Sequence, residues 1–454
     1  MGSVLVRWLC CLVVLTAGAC APAPTAAPER RPPSYAPDAE IPAPDAPPPA
    51  DDAAPNADAT PADDAAADDA AADDAAELPY DGGRDGGADV GVPDAGIDAG
   101  GPPDVTIYPD AAPPPDAAPP PDAEVPLDLG PLGRGVSTLT GGPFAADRDG
   151  VRGFARFDNP VSVALLANGD LAVADFYNAR IVRVTPQGDT TTMVRSPTFS
   201  RPFGLILTPA GVLYMQTDRN TALVPSGTLW QLIGTSSVTV VATNLGRPRG
   251  LAALDDGRLI FVDPLAHTVS VFNPANRRVR LLAGRAATPG YVDGAGTVAR
   301  FNNPLNVVLT SSRTLIVSDS DNNRLRRIVL AGTATLTAVV STFAGTGTAT
   351  AADGPRLLAG VSAPVALAKD AAGNVYFTEY GSSTLRRVNT VGFVETLAGN
   401  GVRGFADALD PLDAQFFGLE GIAVTPDGRY VYVADGTRGV SAPYHRIRRV
   451  QLLP

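Results

Sequence analysis

Asp319, Asp321 and Asn323 stand at alternate positions in the stretch VSDSDNNRLRRI, the spacing of the first three ligands of a calcium-binding loop. Such a loop also needs glycine at its sixth position and a bidentate glutamate at its twelfth, where this chain has Arg324 and Leu330. An architectural role is therefore expected. Asp319 should end a strand and accept hydrogen bonds from amides of the following turn, with Asn322 suited to the left-handed region. Asp321 is peculiar to this copy, so it alone keeps a weak candidacy for calcium.

Other groups with chemical potential are sparse. The two histidines, His267 and His445, lie in LAHTVSV and PYHRIRRV and read as loop or strand-end residues. Zinc usually takes three or four His or Cys ligands. A Ser-His-Asp hydrolase is disfavoured because G-x-S-x-G is absent. GNGVRG, Gly399–Gly404, satisfies G-x-G-x-x-G but follows a strand like AGRAATPG and AGTGTAT, so it reads as a connection, not a phosphate loop. No cofactor is expected.

Charge divides the chain. Residues 21–130 hold 25 acids and 3 bases, whereas 131–454 hold 23 acids and 31 bases, so the net of −13 combines a strongly acidic part with a mildly basic one. The basic excess is too dilute to argue for nucleic acid. All three cysteines, Cys10, Cys11 and Cys20, fall in MGSVLVRWLCCLVVLTAGAC. Arg7 followed by a short apolar run reads as a signal peptide over 1–19, too short to span a bilayer. AGAC resembles a lipobox, although Ala17 stands where Leu is usual. Cys20 would then be the sole mature cysteine and a lipid attachment point, with an ordinary cleavage after AGA as the alternative.

Residues 20–133 form an Ala/Pro/Asp-rich linker, with repeats such as YPDAAPPPDAAPPPDAE. Frequent proline and few large apolar groups predict disorder. Such a tether would span roughly 60 Å as a coil and up to about 350 Å if extended. Its spaced aspartates in DGGRDGGADVGVPDAGIDAG read as a solvated acidic spacer.

The opening stretch recurs. DFYNARIVRV and DSDNNRLRRI share D-x-x-N-x-R-[IL]-x-R-[VI], and EYGSSTLRRV keeps the frame. Looser copies give six turn positions, Asp175, Asp218, Asp263, Asp319, Glu379 and Asp435, spaced by 43, 45, 56, 60 and 56 residues. Each unit reads as four short antiparallel strands, as in PVSVALLANGDLAVADFYNARIVRVTPQGDTTTMV. Six such units predict an all-β, six-bladed β-propeller over 134–454. The sixth unit ends after its third strand, while VSTLTG, from Val136, is an unclaimed fourth strand ahead of the first. The N-terminal strand should complete the last blade and leave no open edge.

With FDNP, FNNP and RPRG entries, ANGDLAVAD hairpins, TLAG fourth strands and DG…ARF connections, the units resemble NHL repeats of six-bladed propellers. That resemblance implies a fold and a binding platform more than an activity. With so few His and Cys, the zinc-dependent lyases among similar propellers are excluded as a guide. Gluconolactonase-like propellers hold a divalent cation at the channel mouth, and here Glu420 and Asn306 are weak candidate ligands. Arg249 should sit across the channel from Glu420 and pair with it.

The expected protein is thus an exported binding or scaffold module, lipid-anchored at Cys20, monomeric, and presented at the outer membrane or cell surface. A periplasmic or secreted location is the alternative. It would recognise a protein or glycan on one propeller face; a metal-dependent lactonase-like or other hydrolytic enzyme is the runner-up.

Overall fold

The computed structural model describes residues 126–220, 222, 226–437 and 444–452. The stretch read as a signal peptide, Cys20 and the part read as linker up to residue 125 lie outside them.

Six antiparallel sheets form the blades. Blade 1 runs Pro160–Leu165, Leu171–Asp175, Arg180–Val184 and Thr190–Arg195 from innermost to outermost strand. Blades 2 and 3 repeat this from Pro202 to Ala242 and from Leu251 to Gly284. Blades 4 and 5 run Pro304–Ala344 and Pro364–Ala398, and blade 6 begins at Gly421. Its fourth strand is Gly135–Gly142, antiparallel to His445–Gln451. Closure by the N-terminal strand is therefore realised, and the two ends of the propeller meet in one sheet.

Short β-branched runs explain the strands, and tight turns explain their ends. In the first hairpins Gly169, Gly211, Gly257, Gly373 and Gly428 adopt positive φ, which costs glycine little. The blades pack face to face through alternating apolar residues. One cluster joins Ile260, Val262 and Phe301 to Leu315, Val317 and Ile328 across blades 3 and 4.

Blades 4 and 5 carry a fifth strand that was not anticipated, Gly294–Ala295 and Gly354–Pro355, on their outer edges. Bridges Gly150–Thr190 and Val136–Ala408 mark the same feature in blades 1 and 6. In each case the DG-type connection runs along the outermost strand before crossing to the axis, covering backbone groups that would otherwise be exposed. Connections into blades 2 and 3, residues 196–201 and 243–250, are short and make no such strand.

Residues 126–133, the end of the stretch read as linker, lie along the closing strand. Arg152 holds them by donating to Leu129 O and Gly130 O while also bonding Thr138 O and Leu139 O of that strand.

Candidate functional site

At the six turn positions the structure builds junctions. Asp319 is fully buried, and its Oδ2 accepts from Arg326 Nη1 at 2.7 Å and from Asn322 Nδ2 at 2.8 Å. Arg326 Nη2 then reaches Asp293 Oδ1 in the preceding connection at 2.6 Å, and the other oxygen of Asp293 accepts from Thr342 N of the outermost strand. One guanidinium thus ties the second strand to the outer edge. The same carboxylate–arginine–carboxylate chain recurs as Asp175–Arg180–Asp149, Glu379–Arg386–Asp353 and Asp435–Arg448–Asp407. Burial pushes Asp175 up to about 7 and Asp319 up to about 6, against the opposing pull of Arg180 and Arg326.

The amide that Asp319 was expected to take from its own turn comes instead from Asn302, at 2.7 Å, in the entry to the blade. Asp175 likewise accepts from Asp158 N. Among the described residues, Asp263 does accept from backbone amides of the following turn, those of Leu265 and Ala266. The left-handed residue is Asn323, φ 51°, and not Asn322, whose amide bridges Asp319 and Gly290 O. Asp321 lies in the exposed part of this loop and accepts from Asn303 Nδ2.

Blade 2 departs in register. Its Pro202 pairs with Thr217, as Pro160 pairs with Asp175 and Pro304 with Asp319, so Thr217 and not Asp218 occupies the turn position. Trp230 donates its indole N–H to Thr217 Oγ1, replacing the charged pair by a neutral one. Asp218, displaced by one residue, is released to accept from Arg249 Nη1 at 2.8 Å. Arg249 thus hydrogen-bonds Asp218, and Glu420 also acts on it electrostatically from blade 6.

Both histidines join blades. His267 Nδ1 accepts from Asn303 N at 3.1 Å and His445 Nδ1 from Asn159 N at 2.9 Å, just as Asn323 Oδ1 accepts from Ala363 N. A ring nitrogen that accepts an amide proton is unprotonated. Burial lowers the pKa of His267, consistent with that role.

The remaining feature is the axial channel, a cavity of about 350 Å³ lined by the innermost strands of all six blades. Its walls are mostly apolar. Arg249, Glu420 and Asn306 line it at the end where those strands begin. The inter-blade connections and the loops between second and third strands lie at that same end, because strand direction alternates within each blade. Arg249 stacks on Phe203 with its guanidinium carbon 3.9 Å from the ring centroid, which fixes its plane. Burial lowers the pKa of Arg249, and Asp218 and Glu420 oppose that shift. Beside the mouth, Gln216 is fully buried with neither amide atom hydrogen-bonded. In blades 4 and 5 the equivalent Ser318 and Thr378 bond the next blade's backbone at Val365 O and Leu419 O. Glu420 and Asn306 share the channel, whereas Asp321 sits in a surface loop. Among the described residues, no group of three or more His, Cys, Asp or Glu is placed to hold a metal ion.

Sequence reasoning missed the outer aspartates Asp149, Asp293, Asp353 and Asp407 as partners of the buried arginines. Their recurrence partway along each long connection was the available signal. Nothing in the repeat marked Thr217 and Trp230.

Comparison with known proteins agrees with this architecture. Residues 157–184 match the NHL repeat family. The chain is 30% identical over 86 residues to Protein SUPPRESSOR OF QUENCHING 1, chloroplastic, of Arabidopsis thaliana, which is 19% of this chain and only 8% of that protein. A crystal structure of a structural genomics protein of unknown function from Bacteroides thetaiotaomicron is similar with TM-score 0.55 at 20% identity, over 70% of this chain and 76% of that one. An auxiliary nutrient binding protein from Bacteroides ovatus gives TM-score 0.55 at 16% identity, over the same shares. At such identities the likeness is one of fold.

Proposed function

We propose that this chain is an exported binding protein, lipid-anchored at Cys20, whose propeller recognises a protein or glycan through the face where the axial channel opens. One observation carries the reading. The buried acids Asp175, Asp319, Glu379 and Asp435 are held by arginines within their own blades and both histidines accept backbone amides, while Arg249, braced by Asp218, and Glu420 line an open cavity. Charged groups placed in a mostly apolar pocket are the ordinary makings of a recognition site. The auxiliary nutrient binding proteins of similar fold serve the kind of role such a channel suits. The lipobox-like AGAC and the acidic stretch after it support presentation away from a membrane.

The test is capture of partners from envelope extracts and on a glycan array by the purified protein. Retention of a defined protein or glycan is expected. Turnover of a lactone by the purified protein, with no partner captured, would overturn the reading. Protease accessibility on intact cells, compared with a Cys20→Ala variant, tests anchoring and location: release of the variant from the membrane fraction is expected.

A further inference from the structure

Resting on the reading that this face binds ligands, we propose that the channel mouth takes a small zwitterion with an apolar body: a free amino acid or short peptide bearing both a carboxylate and an ammonium group.

The charges at the mouth come as separated opposites. Arg249 enters from blade 3 and Glu420 from blade 6, half a turn apart around six blades, and both line the same cavity. Arg249 gives Nη1 to Asp218 and its plane to Phe203, so the guanidinium is held in place before any ligand arrives. Its other N–H groups offer the forked geometry that matches a carboxylate. Glu420 supplies the opposite charge for an ammonium group. Asp218 is further balanced by Arg247, 3.6 Å away, so the surroundings of Arg249 are not simply acidic. A simple anion would meet Glu420 and a simple cation would meet Arg249, whereas a zwitterion satisfies both. Like charges brought together in a desolvated site discriminate strongly against the wrong partner.

Below the mouth the wall is lined by Val161, Leu205, Leu251, Val307 and Ile422, with Asp255 and Lys369 at the far end of the channel. A cavity of about 350 Å³ lies at the small end of the usual range for ligand sites, which suits one or two residues with aliphatic side chains. Gln216 adds a second, independent sign. Its amide is wholly buried against Gly204, where a Cβ would come within 2.4 Å of Gln216 Oε1 and 2.2 Å of Arg249 O. A polar group left without hydrogen bonds is costly, and here it adjoins the backbone of the arginine in question.

Isothermal titration of the purified full chain with leucyl-leucine, acetyl-leucyl-leucine and leucyl-leucinamide tests this without any variant. Leucyl-leucine should bind, and each blocked form should bind at least ten-fold more weakly, because each lacks one of the two charges. Arg249→Gln should remove the preference for the free carboxylate, and Glu420→Gln the preference for the free ammonium group, with folding checked by circular dichroism. Equal binding of all three peptides, or no heat with folded protein, would overturn the proposal. Retention of a macromolecule by the same preparation would then show that recognition at this face stands while the zwitterion assignment fails.

Discussion

Trp230 donates to Thr217 across 2.9 Å in blade 2, at the register where Arg326 meets Asp319 in blade 4. Two side-chain pairs of opposite character, one neutral and one ionic, therefore solve one packing problem. The neutral pair also frees Asp218 to hold Arg249 at the channel.

Replacing Arg326 by Met should destabilise the propeller by about 3–5 kcal/mol, because Asp319 stays buried without its cation. The double variant Asp319→Thr with Arg326→Trp, which copies blade 2, should recover most of that loss, since a neutral pair carries no desolvated charge. Urea unfolding of the three proteins decides the matter; a double variant less stable than Arg326→Met would refute the equivalence.

Acid should favour the carboxylate junctions. The native state raises Asp175 to about 7 through burial, so it binds a proton more tightly than the unfolded chain does. This contribution is fully present below the unfolded value of about 4 and is lost as pH rises through about 7. The stability of the wild type relative to Asp175→Asn should therefore decline from pH 4.5 to pH 8 in denaturant titrations.

His267 should show the opposite sign. Its pKa is lowered in the folded protein, so its contribution is complete above the unfolded value of about 6.5 and is lost as pH falls through the folded one. His267→Asn keeps an acceptor at a left-handed position, as Asn323 does toward Ala363, and should cost less than about 1 kcal/mol while removing the acid sensitivity. His267→Ala leaves Asn303 N without its acceptor and should cost more. Melting temperatures at pH 5 and pH 7 separate the three proteins.

Close approach at the axis gives a steric prediction. A Cβ at Gly421 would lie 2.6 Å from Ser162 Cα, backbone that has nowhere to move between blades 6 and 1. Gly421→Val should cost at least about 2 kcal/mol. Gly133→Ala, where nothing lies within 4 Å, should leave thermal stability unchanged within about 0.5 kcal/mol.

Much of the fold was legible because strand-forming runs and turn residues are local signals repeated six times. The repeat even exposed the missing strand at Val136, since an incomplete sixth unit and a spare strand had to be reconciled. Legibility failed where register mattered. Arg180 and Arg326 reach equivalent carboxylates from strand positions two residues apart, facing Asp175 in one blade and Val317 in the other. Side chains two apart share a face of a strand, so a long guanidinium can serve from either position, and a pattern of letters cannot tell which.

The sequence by itself determined the blade count, the closing strand and the division into an acidic stretch and a mildly basic propeller, because these follow from periodicity and composition. Only the tertiary structure decided that Asp218 belongs to Arg249, that Thr217 and Trp230 replace the ionic pair in blade 2, and that the histidines staple neighbouring blades. Those are contacts between residues apart in the chain, and their partners are chosen by strand register and by how the blades pack around a common axis.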